Sequence, residues 1–191
     1  MITILKRIYN HPLNQGYRLQ AVLRFIKWQI FSRSFKYPVL LPFTDKTEYL
    51  CWNGLTGLTG NFYYGLMEME EMAFLLHYLD KDETFYDIGA NVGAYTILAG
   101  LHVGCRTISF EPHPKTFSHL KKNISLGGRS ENITLLNMGL GSKNGIVKFT
   151  SDLDTVNHVA INDLDNAIDV QISVLDELAS LPPPYSYQNR C

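Results

Sequence analysis

A chain of 191 residues, 46% apolar and 18% charged, has room for one domain with a sizeable core and not for two full domains joined by a linker. That balance excludes a disordered or fibrous protein. A net charge of −1 gives no overall basic character, and no nucleic-acid partner is expected.

Three cysteines, Cys51, Cys105 and Cys191, stand far apart with neither a CxxC pair nor the His and Cys spacing of a zinc site, so no metal is expected and reduced thiols in a cytosol are. The four-residue apolar start is too short for a signal peptide and no later stretch approaches a membrane span. A cytoplasmic location follows as the expectation.

Residues 1–44 hold Lys6, Arg7, Arg18, Arg24, Lys27, Arg33 and Lys36 and no acid. Leu19, Val22, Leu23, Ile26 and Ile30 recur at i, i+3, i+4, i+7 and i+11, with the bases largely off that stripe, which predicts an amphipathic helix. The stripe is expected to pack on the chain's own core or on a partner subunit. Contact of this basic helix, 18–33, with an anionic membrane surface is the alternative. Pro38 and Pro42 are expected to stop regular structure, a short strand is predicted over 48–52, and Leu55-Thr-Gly-Leu-Thr-Gly-Asn reads as a loop. A helix follows over 67–79, with acids in its first turn and methionines as core filling.

The pattern then alternates: strand 84–88, helix 93–103, strand 106–111, helix 114–125, strand 132–137. Short apolar strands separated by helices imply parallel pairing. The expected class is α/β, a Rossmann-like first half of a doubly wound, mostly parallel sheet over 67–191, with an N-terminal helical extension over 1–66. Two further segments, 145–150 and 168–173, alternate with period two as half-exposed strands do, with a polar loop between them. The sequons at Asn123 and Asn132 fall on a helix end and a strand and are read as incidental.

The chemistry concentrates where strand 84–88 runs through Asp87 into Gly89-Ala90-Asn91-Val92-Gly93. A dinucleotide loop needs a glycine where Asn91 stands, so that the backbone can approach a pyrophosphate. Asn91 tolerates the left-handed turn, but its side chain fills the space of a close phosphate, and Asp87 would repel one. S-adenosyl-L-methionine carries an ammonium and a sulfonium, which a carboxylate attracts. Glu111 lies 24 residues after Asp87, near the offset at which an acid on the second strand takes ribose hydroxyls.

The runs Phe85-Tyr-Asp-Ile-Gly-Ala-Asn-Val-Gly-Ala-Tyr-Thr, Ile108-Ser-Phe-Glu-Pro-His-Pro-Lys-Thr-Phe and Leu135-Leu-Asn-Met-Gly-Leu-Gly resemble the FkbM family of S-adenosylmethionine-dependent methyltransferases. The resemblance implies methylation of a hydroxyl oxygen on a small molecule or glycan: a sugar, glycolipid or natural product. It implies that Asp87, Gly89, Ala90, Asn91 and Gly93 line the methionyl and ribose side of the cofactor, that Glu111 holds the ribose hydroxyls, and that Met138 borders the adenine. His158, in a polar loop able to overhang the cofactor, is the candidate base for the hydroxyl proton.

In the family a further strand, Lys-Ile-Asp-Val-Glu-Gly or similar, follows the Leu-Asp-Glu-Leu segment. This sequence instead reads Pro182-Pro-Pro-Tyr-Ser-Tyr-Gln-Asn-Arg-Cys, so a C-terminally truncated member with impaired activity is expected, its strand at Asp87 exposed as an edge. Two other classes stay open: a non-catalytic interaction or membrane-surface module descended from a methyltransferase, and an NAD-dependent oxidoreductase or epimerase.

Overall fold

The structure, a computed structural model, describes residues 2–34, 38–52, 58–128, 130–150 and 167–178. Helices α1 (Ile2–Asn10) and α2 (Arg18–Phe31) are joined through a 3-10 turn that opens with Pro12. The buried Asn14 side chain fastens this pair to the rest of the fold, donating to the carbonyls of Ile8 at 2.9 Å and Tyr63 at 3.0 Å.

The expectation that the Leu19 stripe packs on the chain's own core is corrected. Helix α2 buries Ala21 and Phe25 against Ile8 and Tyr63, with Trp28 packed alongside, and leaves Leu19, Leu23, Ile26 and Ile30 exposed. The aromatic face wins because Phe25 meets Tyr63 edge-on at 5.1 Å and Trp28 meets Phe62 at 5.8 Å. Such ring pairs bury more area than a leucine stripe and add a directional attraction.

A second correction concerns the prolines. Strand β1 (Val39–Pro42) lies between Pro38 and Pro42 and pairs antiparallel with β2 (Glu48–Cys51). A two-stranded ribbon has only edges, where a residue lacking an N–H is tolerated. Part of the predicted loop at 55–61 is also helical, since α3 spans Thr59–Tyr64. Gly60 allows a close contact there, because a Cβ at that position would meet Met67 Sδ at 2.1 Å. Helix α4 (Met69–Tyr78) follows, with Glu70 and Glu71 in its first turn.

The central unit is the expected βαβαβ: β3 (Thr84–Ile88), β4 (Arg106–Phe110) and β5 (Ile133–Leu136) pair in parallel in the order β3-β4-β5. Strand β4 is buried from Thr107 to Phe110, as a strand covered on both faces should be. Among the described residues β3 pairs on one edge only. The first crossover begins as α5 (Ala94–Thr96) and continues as a π-helix over Ile97–Val103, where the Gly104 N–H reaches back to the Ala99 carbonyl at 3.0 Å. At Gly100 a Cβ would meet Ile133 Cδ1 at 2.5 Å, so the crossover rests directly on β5. Helix α6 (Pro114–Ser125) forms the second crossover.

A smaller sheet, β6-β8-β7, joins β6 (Gly139–Leu140), β7 (Gly145–Thr150) and β8 (Ala167–Ser173), with β7 and β8 antiparallel. One core cluster draws Leu41, Tyr49 and Leu58 together with Ala90, Val92, Ile97, Leu120 and Ile124, so the N-terminal elements share a core with the βαβαβ unit. Both sequon asparagines are structural. Asn123 is fully buried, donating to the Val92 carbonyl and accepting from the Leu50 N–H, while Asn132 donates to the carbonyls of Gly100 and Cys105. Among the described residues no helix is long and apolar enough to cross a membrane.

Candidate functional site

Strand β3 delivers Asp87 to its carboxyl end, where the side chain is buried and accepts from the Thr96 hydroxyl at 2.5 Å. Thr96 in turn lies 2.8 Å from Ser109 Oγ of β4. Burial pushes the Asp87 carboxyl up to about 6, with the Thr96 hydroxyl and N–H opposing the shift. An ionised Asp87 is thus under-solvated in the free protein. A cation beside it would supply the missing partner.

The loop after β3 is held at both ends. The N–H groups of Gly89 and Ala90 share the Phe110 carbonyl at 2.9 Å each, and the Gly93 N–H returns to the Ala90 carbonyl at 2.8 Å. Between them Asn91 takes φ +52°, the left-handed conformation expected of it. Its N–H donates to Glu111 Oε2 at 2.9 Å, and the His113 N–H donates to Glu111 Oε1 at 2.8 Å. Burial raises the Glu111 carboxyl, and these two N–H groups work against that shift. Each of its oxygens keeps a second acceptor position.

Asp87, Gly89, Ala90 and Asn91 line a cleft of about 370 Å³, within the size range of small-molecule sites. Gly93 lies beneath the loop, where a Cβ would meet Leu120 Cδ1 of α6 at 2.7 Å, the packing role of a third loop glycine. Glu111 stands behind the loop as its anchor. Half-buried Met138 sits between β5 and β6, outside that lining. Its neighbour Asn137 makes the connection there, donating to the carbonyls of Glu111 and Pro112 at 2.8 and 3.1 Å. His158 lies outside the described residues.

Sequence reasoning missed the opposite wall, formed by Asn61, Met67, Glu68, Met72 and Tyr95. The buried Asn61 accepts from the Met67 N–H at 2.7 Å through Oδ1, while among the described residues its Nδ2 has no hydrogen-bond partner. A buried amide donor without an acceptor is costly and suits a ligand carboxylate. Tyr95 donates to Glu68 Oε2 at 2.7 Å. The methionines read as core filling divide between roles, since Met67 is half exposed at the cleft while Met72 is buried beneath it. Among the described residues the cleft lining includes two carboxylates, Glu68 and Asp87, and neither lysine nor arginine.

No protein-family model and no curated protein sequence matches the chain. Among solved structures it is similar to Pyrococcus horikoshii TYW2 in complex with MeSAdo, at 15% identity and a TM-score of 0.45 over 67% of this chain and 50% of that one. It is also similar to a SAM-dependent methyltransferase from Agrobacterium tumefaciens, at 13% identity and a TM-score of 0.41 over 54% and 33% of the two chains. A third is the Pyrococcus abyssi tRNA (uracil-54, C5)-methyltransferase in complex with S-adenosyl-L-homocysteine, at 12% identity and a TM-score of 0.42 over 52% and 23%. The chain spans from 23% to 50% of the length of these three proteins.

Proposed function

We propose that the cleft at Asp87 binds S-adenosyl-L-methionine and serves transfer of a methyl group to a hydroxyl oxygen. The observation that carries this reading is the sign of its charge: among the described residues Glu68 and Asp87 face the space and no base does. A ligand with an ammonium and a sulfonium is attracted by such a lining, whereas a pyrophosphate is repelled. That contrast favours S-adenosylmethionine over NAD, and Asn91 in the place of a phosphate-approach glycine adds to it.

The individual roles are proposed from the cleft and from the family resemblance together. Asp87 faces the ligand's cationic end, and the unpaired Nδ2 of Asn61 supplies a donor for its carboxylate. Glu111, through its remaining acceptor positions, takes the ribose hydroxyls while holding the Asn91 N–H. Gly89, Ala90 and Asn91 give the backbone surface between them, and Met138 borders the adenine. S-adenosylmethionine supplies an electrophilic methyl group on its sulfonium. The chain's task is to hold that methyl in line with an acceptor oxygen and to give the hydroxyl proton a base, a role we assign to His158. A hydroxyl on a sugar, glycolipid or natural product is the proposed acceptor class, supported by the resemblance of residues 85–96, 108–117 and 135–141 to the FkbM family.

Thermal denaturation with each ligand tests the reading. S-adenosylmethionine at a hundred times its Kd stabilises by about 2.7 kcal/mol, and Asp87→Ala or Glu111→Ala removes that shift. Stabilisation by NAD in place of S-adenosylmethionine would overturn it. With an acceptor in hand, His158→Ala lowers kcat and leaves cofactor affinity unchanged.

A further inference from the structure

We propose that the outer face of α2 is a docking surface for an anionic lipid bilayer. At the helical repeat, Leu19, Leu23, Ile26 and Ile30 fall within an arc of about 60° on α2. All four are exposed, Leu19 to 71% and Ile30 to 62%. The opposite side of the same helix carries Ala21 and Phe25 into the core, so the two apolar faces have different addresses. Exposing four large aliphatic side chains in one row is unfavourable in water. A helix lying in the plane of a membrane interface presents such a row.

The charge around the stripe selects the partner. Lys27 lies about 40° beyond Leu23 on the helix, and residues 1–44 contain seven bases and no acid. Beside Leu23 opens a groove of about 490 Å³ whose lining, among the described residues, includes Tyr17, Gln20, Arg24, Lys27 and Tyr64 and no carboxylate. Leu23 belongs to both the stripe and the groove, so an apolar contact and a cationic recess meet at one residue. Tyr17, at the groove, is 62% exposed and brings an amphipathic ring to the level where such rings settle in membranes. An acyl layer against the stripe with phosphate headgroups toward Arg24 and Lys27 satisfies both halves of the surface, whereas a purely apolar protein partner would leave the cationic recess unmatched. The face lies on a helix separate from the strand and loop that carry Asp87, and the inference does not rest on the cofactor reading.

Co-sedimentation of the full chain with phosphatidylcholine vesicles, with and without phosphatidylglycerol, tests this. Binding at least about tenfold stronger to the anionic vesicles, falling as salt rises, is the expected result. Leu19→Glu with Ile26→Glu reduces it about tenfold, and Lys27→Glu reduces it on anionic vesicles alone. The three sites are exposed, and unchanged thermal midpoints certify the variants. If a midpoint does move, the comparison of the two vesicle types decides the question by itself. Equal binding to both vesicles, or binding to neither, overturns the proposal. So does a lipid-free dimer that Leu19→Glu with Ile26→Glu dissolves, since the stripe would then cover a second copy of the chain.

Discussion

The backbone N–H of Asn91 donates to Glu111 Oε2 across 2.9 Å, tying the loop after β3 to the end of β4 before any ligand arrives. Because Glu111 also accepts from His113, one carboxylate sets the spacing of two turns. Glu111→Gln preserves the shape but presents an amide nitrogen to one of those N–H groups. The expected loss is about 1–3 kcal/mol of stability, read as a lower urea midpoint with unchanged slope.

Asp87 makes the free protein sensitive to pH in a calculable direction. Its folded-state value of about 6 exceeds the ordinary 3.8, so the folded protein holds that proton more tightly than the unfolded chain. Its favourable contribution is complete below the unfolded value and is lost as pH rises through about 6, leaving a cost of about 3 kcal/mol at neutral pH. Asp87→Asn should therefore stabilise the free protein at neutral pH and flatten its stability between those two values. Affinity for S-adenosylmethionine runs the opposite way, rising through about pH 6 as the carboxylate ionises and remaining low and flat in Asp87→Asn. Calorimetric titration across that interval checks both signs.

The loop glycines should respond unequally to the same substitution. Gly89 has φ +80° and open space around a would-be Cβ, whereas Gly93 has φ +100° and Leu120 Cδ1 at 2.7 Å. Gly89→Ala costs only the left-handed backbone, about 1–2 kcal/mol. Gly93→Ala adds displacement of Leu120, a further 1–3 kcal/mol or so for overpacking. Thermal midpoints should rank wild type above Gly89→Ala and Gly89→Ala above Gly93→Ala.

Among the described residues β3 pairs on one edge only, and it adjoins a groove of about 630 Å³ whose lining joins Phe74, Leu75, Tyr78, Phe85 and Tyr86 to Glu70 and Glu71. Phe74 is exposed and stacks on Tyr78 with ring centres 5.2 Å apart. An exposed aromatic side chain at such a groove favours self-association. Sedimentation velocity over a concentration series should show it, and Phe74→Lys should suppress it at a stability cost of about 1 kcal/mol from the lost stacking.

The parallel unit was legible because its strands are short apolar runs between helices, and two of these strands run into an acid, β3 at Asp87 and β4 at Glu111. Asn91 was legible as a left-handed position because few other side chains accept one. The orientation of α2 was not, since the sequence shows two apolar faces on that helix. Which one turns inward depends on Ile8, Phe62 and Tyr63 arriving from other elements. The π-helical turn was hidden for a similar reason: 97–103 reads as an ordinary apolar helix, and its widening accompanies a seat against Ile133 that only the folded chain brings to Gly100. Asn61 escaped because α3 is too short to show periodicity, and an amide left without an acceptor is a property of space and not of spacing.

Helix α3 is a common wall. Asn14 pins its Tyr63 carbonyl to the helix pair at the N-terminus, and Asn61, two residues earlier, reaches into the cleft and holds the Met67 N–H. Six residues carry both attachments, so a displacement of the basic helices has a short route to the Asn61 amide at the cleft wall. Any influence of an occupied cleft on the outer face would be returned in equal measure, because coupling between two binding equilibria is reciprocal.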